Sequence, residues 1–142
     1  MQTIAGALPE PGDIVWCHFP NANPKDPTMK NRPALVISVM DKTSPPRLRV
    51  AYGTTKRVRP VGKGQILLYQ PAHLLQAGLA SETRFSLLNL VVLDYTPHWF
   101  DQAPIPGGLR AATPKMGSLP AACMADLQRA AKEAGLLARA RP

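Results

Sequence analysis

Ala34-Leu-Val-Ile-Ser-Val-Met40, entered through Arg32-Pro33, is the stretch whose reading decides the fold. It is an uncharged, apolar run. Such a run reads as a strand crossing the middle of a sheet, where neither face meets water. Pro33 holds Arg32 in an extended conformation ahead of it. Asp41 to Pro46 then reads as a turn. Beyond it, Leu48, Val50 and Tyr52 alternate with Arg49 and Ala51, the period of a strand with one buried face. That strand ends at Gly53-Thr54-Thr55-Lys56. Upstream, Asp13 to Phe19 is β-branched and aromatic, is bounded by Gly12 and Pro20, and reads as the first strand. Pro20 to Asn31 is a polar loop of twelve residues. A loop that long within a compact domain is usually functional or mobile.

Sixteen prolines exclude long helices from most of the chain. A short strand is expected at Gln65–Tyr69, and a short helix from Pro71 to about Gln76, closed by Gly78. Thr83 to Tyr95 holds one or two strands, because its leucines fit either period. Pro97, Pro104, Pro106, Pro114 and Gly107-Gly108 make 96–117 a long connection. The last segment, 118–139, reads as a helix with Ser118 as N-cap and Pro120 in the first turn. Cys123, Leu127, Ala130, Ala134 and Leu137 fall on one helical stripe, and Arg129 and Glu133 stand four apart on another. The expected organisation is one domain over 1–142: an irregular arm (1–10), a barrel (11–95), the connection and the helix. The expected fold class is mainly β with a C-terminal helix, a small, strongly bent antiparallel sheet or barrel.

The chain has 142 residues, with 17 Lys+Arg against 9 Asp+Glu, a formal charge of +8 and a pI near 10.0. That length fits a single core. The longest uncharged run, Gly64 to Ser81, is too polar for a bilayer core. Met1 to Leu8 has no basic region of the secretory kind. Cys17 and Cys123 are far apart and belong to no CxxC, so a reduced cytoplasmic setting and no metal site are expected. Residues 1–70 carry a balance of +6, and residues 71–142 one of +2. Seven basic side chains and no acidic one lie between Lys42 and Lys63. Such a stretch attracts polyanions by phosphate contacts and counterion release. The same charges would also suit an edge strand protected from aggregation.

Three pieces of text, in order, resemble the PemK/MazF family of type II toxin–antitoxin toxins. They are Pro11-Gly-Asp-Ile-Val-Trp16, Asn31-Arg-Pro-Ala-Leu-Val-Ile-Ser38 and Val50-Ala-Tyr-Gly-Thr-Thr-Lys56. The likeness covers residues 11–56 well and 64–95 loosely. It implies an SH3-like barrel, a homodimer, and a sequence-specific endoribonuclease that needs no metal or cofactor and works in the cytoplasm. It also implies a cognate antitoxin, which for a chain of +8 would be acidic. The family's Arg before the proline of the second strand falls on Arg32, and its Thr at the end of the third strand falls on Thr54. Lys30, Thr55, Lys56 and Arg57 flank these positions as expected RNA contacts.

The chemistry suits those residue types. Metal-independent cleavage uses the RNA 2′-hydroxyl as nucleophile, so the protein must align it and stabilise charge on the non-bridging phosphate oxygens. An arginine fork grips two such oxygens, and a threonine hydroxyl with nearby amides can donate more hydrogen bonds. Arginine is poorly matched to the role of general base. His18 is the candidate accessory base, although its alternation with Ile14 and Trp16 also suits packing. Trp16 reads as core. Read without the resemblance, Arg32 is a solvated residue and Thr54-Thr55 a strand end. Two other functions fit the same barrel: a gyrase-poison-like protein with no nuclease chemistry, and a non-catalytic nucleic-acid-binding module.

Overall fold

The computed structural model describes Ile4 and residues 6–19, 30–105 and 107–136. Of Phe19 and Lys30 it describes the backbone. The elements in chain order are strands β1 (Asp13–Phe19), β2 (Lys30–Met40), β3 (Arg47–Thr54) and β4 (Gln65–Leu68), helix α1 (Pro71–Ala77), strands β5 (Thr83–Asp94), β6 (Pro104–Ile105), β7 (Leu109–Arg110) and β8 (Lys115–Ser118), a 3-10 turn (Ala121–Cys123), and helix α2 (Met124–Glu133). Six strands form one antiparallel sheet in the order β4-β5-β3-β2-β1-β8, and β6 and β7 form a separate hairpin. The fold is mainly β: a curled antiparallel half-barrel with a C-terminal helix.

β2 runs through the middle of the sheet, as its sequence requires. Leu35 and Ile37 belong to one apolar cluster, shared with Ile14, Phe85, α1 and α2. Ala34 and Val36 belong to a second cluster on the other face, with Val15, Leu48, Val50 and Phe100. Pro33 fits inside β2 because the pairing with β3 begins one residue later, at Ala34 opposite Tyr52. A proline there leaves no ladder bond unmade. β3 departs from the expected single buried face. Leu48 and Val50 sit in the second cluster, but Ala51 is fully buried in the first.

The leucine-rich stretch is one strand, β5, with a break in its register. Ala51 pairs with Leu90 whereas Gly53 pairs with Phe85, so residues 86–89 form a bulge. The bulge bends β5 and lets its first half pair with β4 while its second half follows β3. A bulge shifts side chains between faces, which is why the leucine pattern fitted either period and did not settle the number of strands.

The open side of the half-barrel, between β4 and β8, is spanned by α1. This helix begins at Pro71 and ends at Gly78 in the left-handed region (φ 73°), as the sequence predicts. The Leu79 N–H donates to the Leu74 carbonyl at 2.8 Å, a Schellman closure. The end of α1 lies directly on β8. A Cβ on Gly78 would stand 2.2 Å from the Met116 carbonyl oxygen, and one on Gly117 would stand 2.3 Å from that of Gln76. Two glycines facing each other let the backbones touch.

The segment 96–117 is more than a connection, since it contains the β6–β7 hairpin and all of β8 but its last residue. β8 pairs with β1, Asp13 opposite Ser118. Further along β1 the same segment supplies hydrogen bonds: Trp16 N–H to the Pro114 carbonyl, His18 N–H to that of Trp99, and Asp101 N–H to that of Trp16. Ser118 is therefore a strand residue and not an N-cap. The 3-10 turn follows Pro120, and no side chain caps it. Cys123, Leu127, Ala130 and Ala134 form the predicted apolar stripe. Arg129 and Glu133 pair at 2.7 Å. The Gly64 N–H donates to Glu133 at 2.8 Å, and Arg129 donates to the Gln65 carbonyl at 3.1 Å, so this face anchors α2 to the start of β4. Leu137, the end of the expected helix, most of the polar loop (20–29) and part of the arm lie outside the described residues.

Candidate functional site

The curl of the sheet leaves a cleft of about 900 Å³ beside α1. One wall comes from adjacent positions of β1 and β2: Trp16, Asn31, Arg32 and Pro33. A second comes from the end of β3 and the residues after it: Gly53, Thr55 and Lys56. The facing wall is apolar, built by Leu74, Leu75 and Leu79 at the end of α1 and by Met116 of β8. Pro104 and Ile105 of the β6–β7 hairpin complete the rim. No acidic side chain lines this cleft among the described residues, so its charge comes from Arg32 and Lys56.

The fold thus brings together Arg32, Thr55 and Lys56. Thr54 is the last residue of β3. Continuing the Ala34–Tyr52 register by two residues sets Thr54 in line with Arg32. Its hydroxyl oxygen accepts the Lys56 N–H at 3.2 Å, which ties the strand end into a tight turn. Thr54 itself is not among the residues that line the cleft. Arg57 has a positive φ of 50°, and its carbonyl accepts a bond from Arg84 at 2.6 Å, so it lies on the exposed turn beyond the cleft. The backbone of Lys30 pairs with Phe19 at the start of β2, and its side chain is outside the description.

His18 stands apart from this group. It borders a smaller cavity of about 290 Å³ with Phe100, Asp101 and Pro114. Its carbonyl accepts the Tyr52 hydroxyl at 3.0 Å. The ring Nδ1 is buried and has no partner among the described residues.

Of the basic stretch, Arg47 pairs with Asp94 at 3.0 Å and Arg59 pairs with Glu82, with the Arg59 guanidinium 5.6 Å from the centre of the Tyr69 ring. These exposed pairs add little stability. Arg47 and Arg49 sit on β3, between β2 and β5, so edge protection does not account for them.

Neither cysteine is set up as a nucleophile. Burial pushes the Cys17 thiol up to about 12, against a smaller opposing effect of its hydrogen bond with Tyr52. Burial also raises the Tyr52 hydroxyl. The Cys123 thiol is raised by burial and then by the charge of Asp126, and its sulfur lies 3.6 Å from His73 Nδ1. No three His, Cys, Asp or Glu side chains among the described residues stand together as a metal site. No helix among them is long and apolar enough to cross a membrane.

Sequence reasoning missed the apolar wall. Leu75 is 83% exposed on α1 although the helix is short and leucine-rich. Two adjacent leucines on a seven-residue helix cannot both face the core, and that was the available signal. Trp16, read as core, is half-buried on the cleft wall. No protein-family model matches this chain, and no curated protein matches it.

Proposed function

We propose that the protein is a PemK/MazF-like toxin on an SH3-like barrel, an endoribonuclease that cleaves RNA at specific sequences by attack of the 2′-hydroxyl on the adjacent phosphodiester. The observation that carries this reading is the position of Arg32. It lies on the wall of a cleft that no acidic side chain lines among the described residues, next to Thr55 and Lys56, where the family-like motif and the basic stretch converge. In this reading Arg32 grips the scissile phosphate and offsets charge on its non-bridging oxygens. Thr54 holds the turn that presents the Thr55 and Lys56 groups, and Lys30 and Arg57 extend the phosphate path. His18 lines a different cavity, which weighs against it as the base. The working form is a cytoplasmic homodimer held in check by an acidic antitoxin.

The test is incubation of the folded protein with mixed-sequence RNA in the presence of a chelator. Cleavage with 2′,3′-cyclic phosphate ends, lost in Arg32→Ala, is the expected result. Intact RNA at every protein excess removes the reading. The apolar wall of Leu74, Leu75 and Met116 favours one other reading, a gyrase-poison-like or other non-catalytic binding protein on the same barrel. Growth arrest that survives Arg32→Ala would select it.

A further inference from the structure

Unmet hydrogen-bonding capacity is concentrated at one corner of the sheet. The indole Nε1 of Trp16, the side-chain Oδ1 of Asn31 and Nδ1 of His18 are each buried, and none has a partner among the described residues. The three residues are neighbours by register: Trp16 lies opposite Pro33, and His18 lies opposite Asn31. The N–H groups of Trp16 and His18 donate away from β2, to Pro114 and Trp99. These are therefore non-hydrogen-bonded cross-strand pairs, in which side chains stand closest. Trp16 and Asn31 are diagonal neighbours on this face, and a buried donor and a buried acceptor both left unmade there oppose folding. Such a pair is understandable where a ligand completes it. Trp16 and Asn31 both line the large cleft, on the wall that carries Arg32.

We infer that Trp16 and Asn31 form a base-reading subsite that takes one unpaired RNA base. The base offers a ring acceptor to the indole N–H and an N–H donor to Asn31 Oδ1. Rotation about the side-chain torsions of Asn31 and Trp16 turns the amide and the indole N–H toward the cleft as the base enters. An extruded base fits the rest of the surroundings: an aromatic edge, an apolar facing wall and two cations for the flanking phosphates. An acidic peptide would use the cations and its backbone amides would meet the same donor and acceptor, but it would show no base preference, which is what the test reads. This inference rests on the RNA-binding part of the proposed function and adds to it the residues that select sequence.

The test uses 2′-O-methyl RNA heptamers, whose blocked nucleophile separates binding from cleavage. Each carries a single A, C, G or U in an otherwise abasic backbone, and a wholly abasic heptamer reports phosphate contacts alone. One base is expected to bind at least about fivefold more tightly than the abasic heptamer, the low end for a two-bond base contact. Trp16→Phe and Asn31→Leu should each abolish that preference and leave abasic binding within about twofold of the parent, since neither residue supplies a cation to the phosphates. Both substitutions remove an unpartnered polar atom, so their melting temperatures should hold or rise. A fall in both melting temperatures with base preference intact means that the atoms are satisfied by a buried water, and it overturns the inference. Equal affinity for all five heptamers, or displacement by poly-glutamate without base preference, overturns it as well. Cleavage of natural RNA with unchanged sites in both variants would refute the subsite while leaving the nuclease standing. Base preference without cleavage would do the reverse.

Discussion

Closure of the half-barrel by α1 rests on two backbones in contact, which alanine at Gly78 or Gly117 takes apart, with alanine at Gly107 of the β6–β7 hairpin as the reference. Gly107 has a φ of 91° and open space around it, so Gly107→Ala measures the left-handed backbone alone. Gly117 has an ordinary φ but would place its Cβ 2.3 Å from the Gln76 carbonyl oxygen, so Gly117→Ala measures the clash alone. Gly78 combines both, with a φ of 73° and 2.2 Å to the Met116 carbonyl oxygen. The left-handed conformation costs an alanine about 1–2 kcal/mol. Overpacking costs about 1–3 kcal/mol, and a clash with backbone rather than a flexible side chain lies at the upper end. Restriction of the unfolded chain returns about 0.4–1 kcal/mol in every case. The expected net losses are then about 1 kcal/mol for Gly107→Ala, about 2 for Gly117→Ala and, since the return is gained only once, about 4 for Gly78→Ala. At roughly 3 °C per kcal/mol for a chain of this size, melting temperatures should fall by about 3, 6 and 12 °C. Thermal and urea unfolding read these directly. Leu74, Leu79 and Met116 of the cleft wall flank the contact, so under the proposed function the two clash variants should also weaken RNA binding, and Gly107→Ala should not. A Gly78→Ala protein no less stable than Gly107→Ala would refute the contact between α1 and β8.

The Gly64 N–H, and after it the Arg129 guanidinium, hold the Glu133 carboxyl below its ordinary value of 4.5, against the opposing effect of burial. A lowered folded value contributes stability above the ordinary one and loses it as pH falls through the lowered one. Glu133→Gln should therefore melt below the parent at pH 7, and the gap should close as pH drops below 4.5; a gap constant with pH would contradict the anchor. Cys17 is fully buried with its thiol near 12, so iodoacetamide at pH 8 should leave it unmodified in the native protein and label it in denaturant, as peptide mapping would show. Tyr52→Phe removes the bond to the His18 carbonyl and should cost about 0.5–1.5 kcal/mol in urea unfolding.

Much of the local structure could be read from residue order. β1, β2 from Ala34 on, the start of β3, β4 and α1 stand where apolar runs, alternation, Pro71 and Gly78 put them, because each signal acts on its own few residues; Lys30 and Asn31, read as loop, extend β2 because β1 pairs with them. The stripe from Cys123 to Ala134 was equally legible, since a 3.6-residue period survives any tertiary context that covers it. β8 was not legible. Lys115-Met-Gly-Ser118 has no strand pattern, and it is a strand because β1 offers an unpaired edge and Gly117 lets α1 approach. The β5 bulge was hidden for a related reason, because it answers the curvature demanded by β3 and β4 together.

The candidate site divides along the same line. The cationic and hydroxyl residues Arg32, Thr54, Thr55 and Lys56 stood out in the chain as types in an ordered pattern. That Arg32, Thr55 and Lys56 share a cleft with Trp16, Asn31 and an apolar wall from α1, while His18 faces another cavity, was settled by the curl of the sheet. Periodicity reports which face of a strand a side chain takes. It carries no information about which distant element that face will meet, and a cleft is made of such meetings.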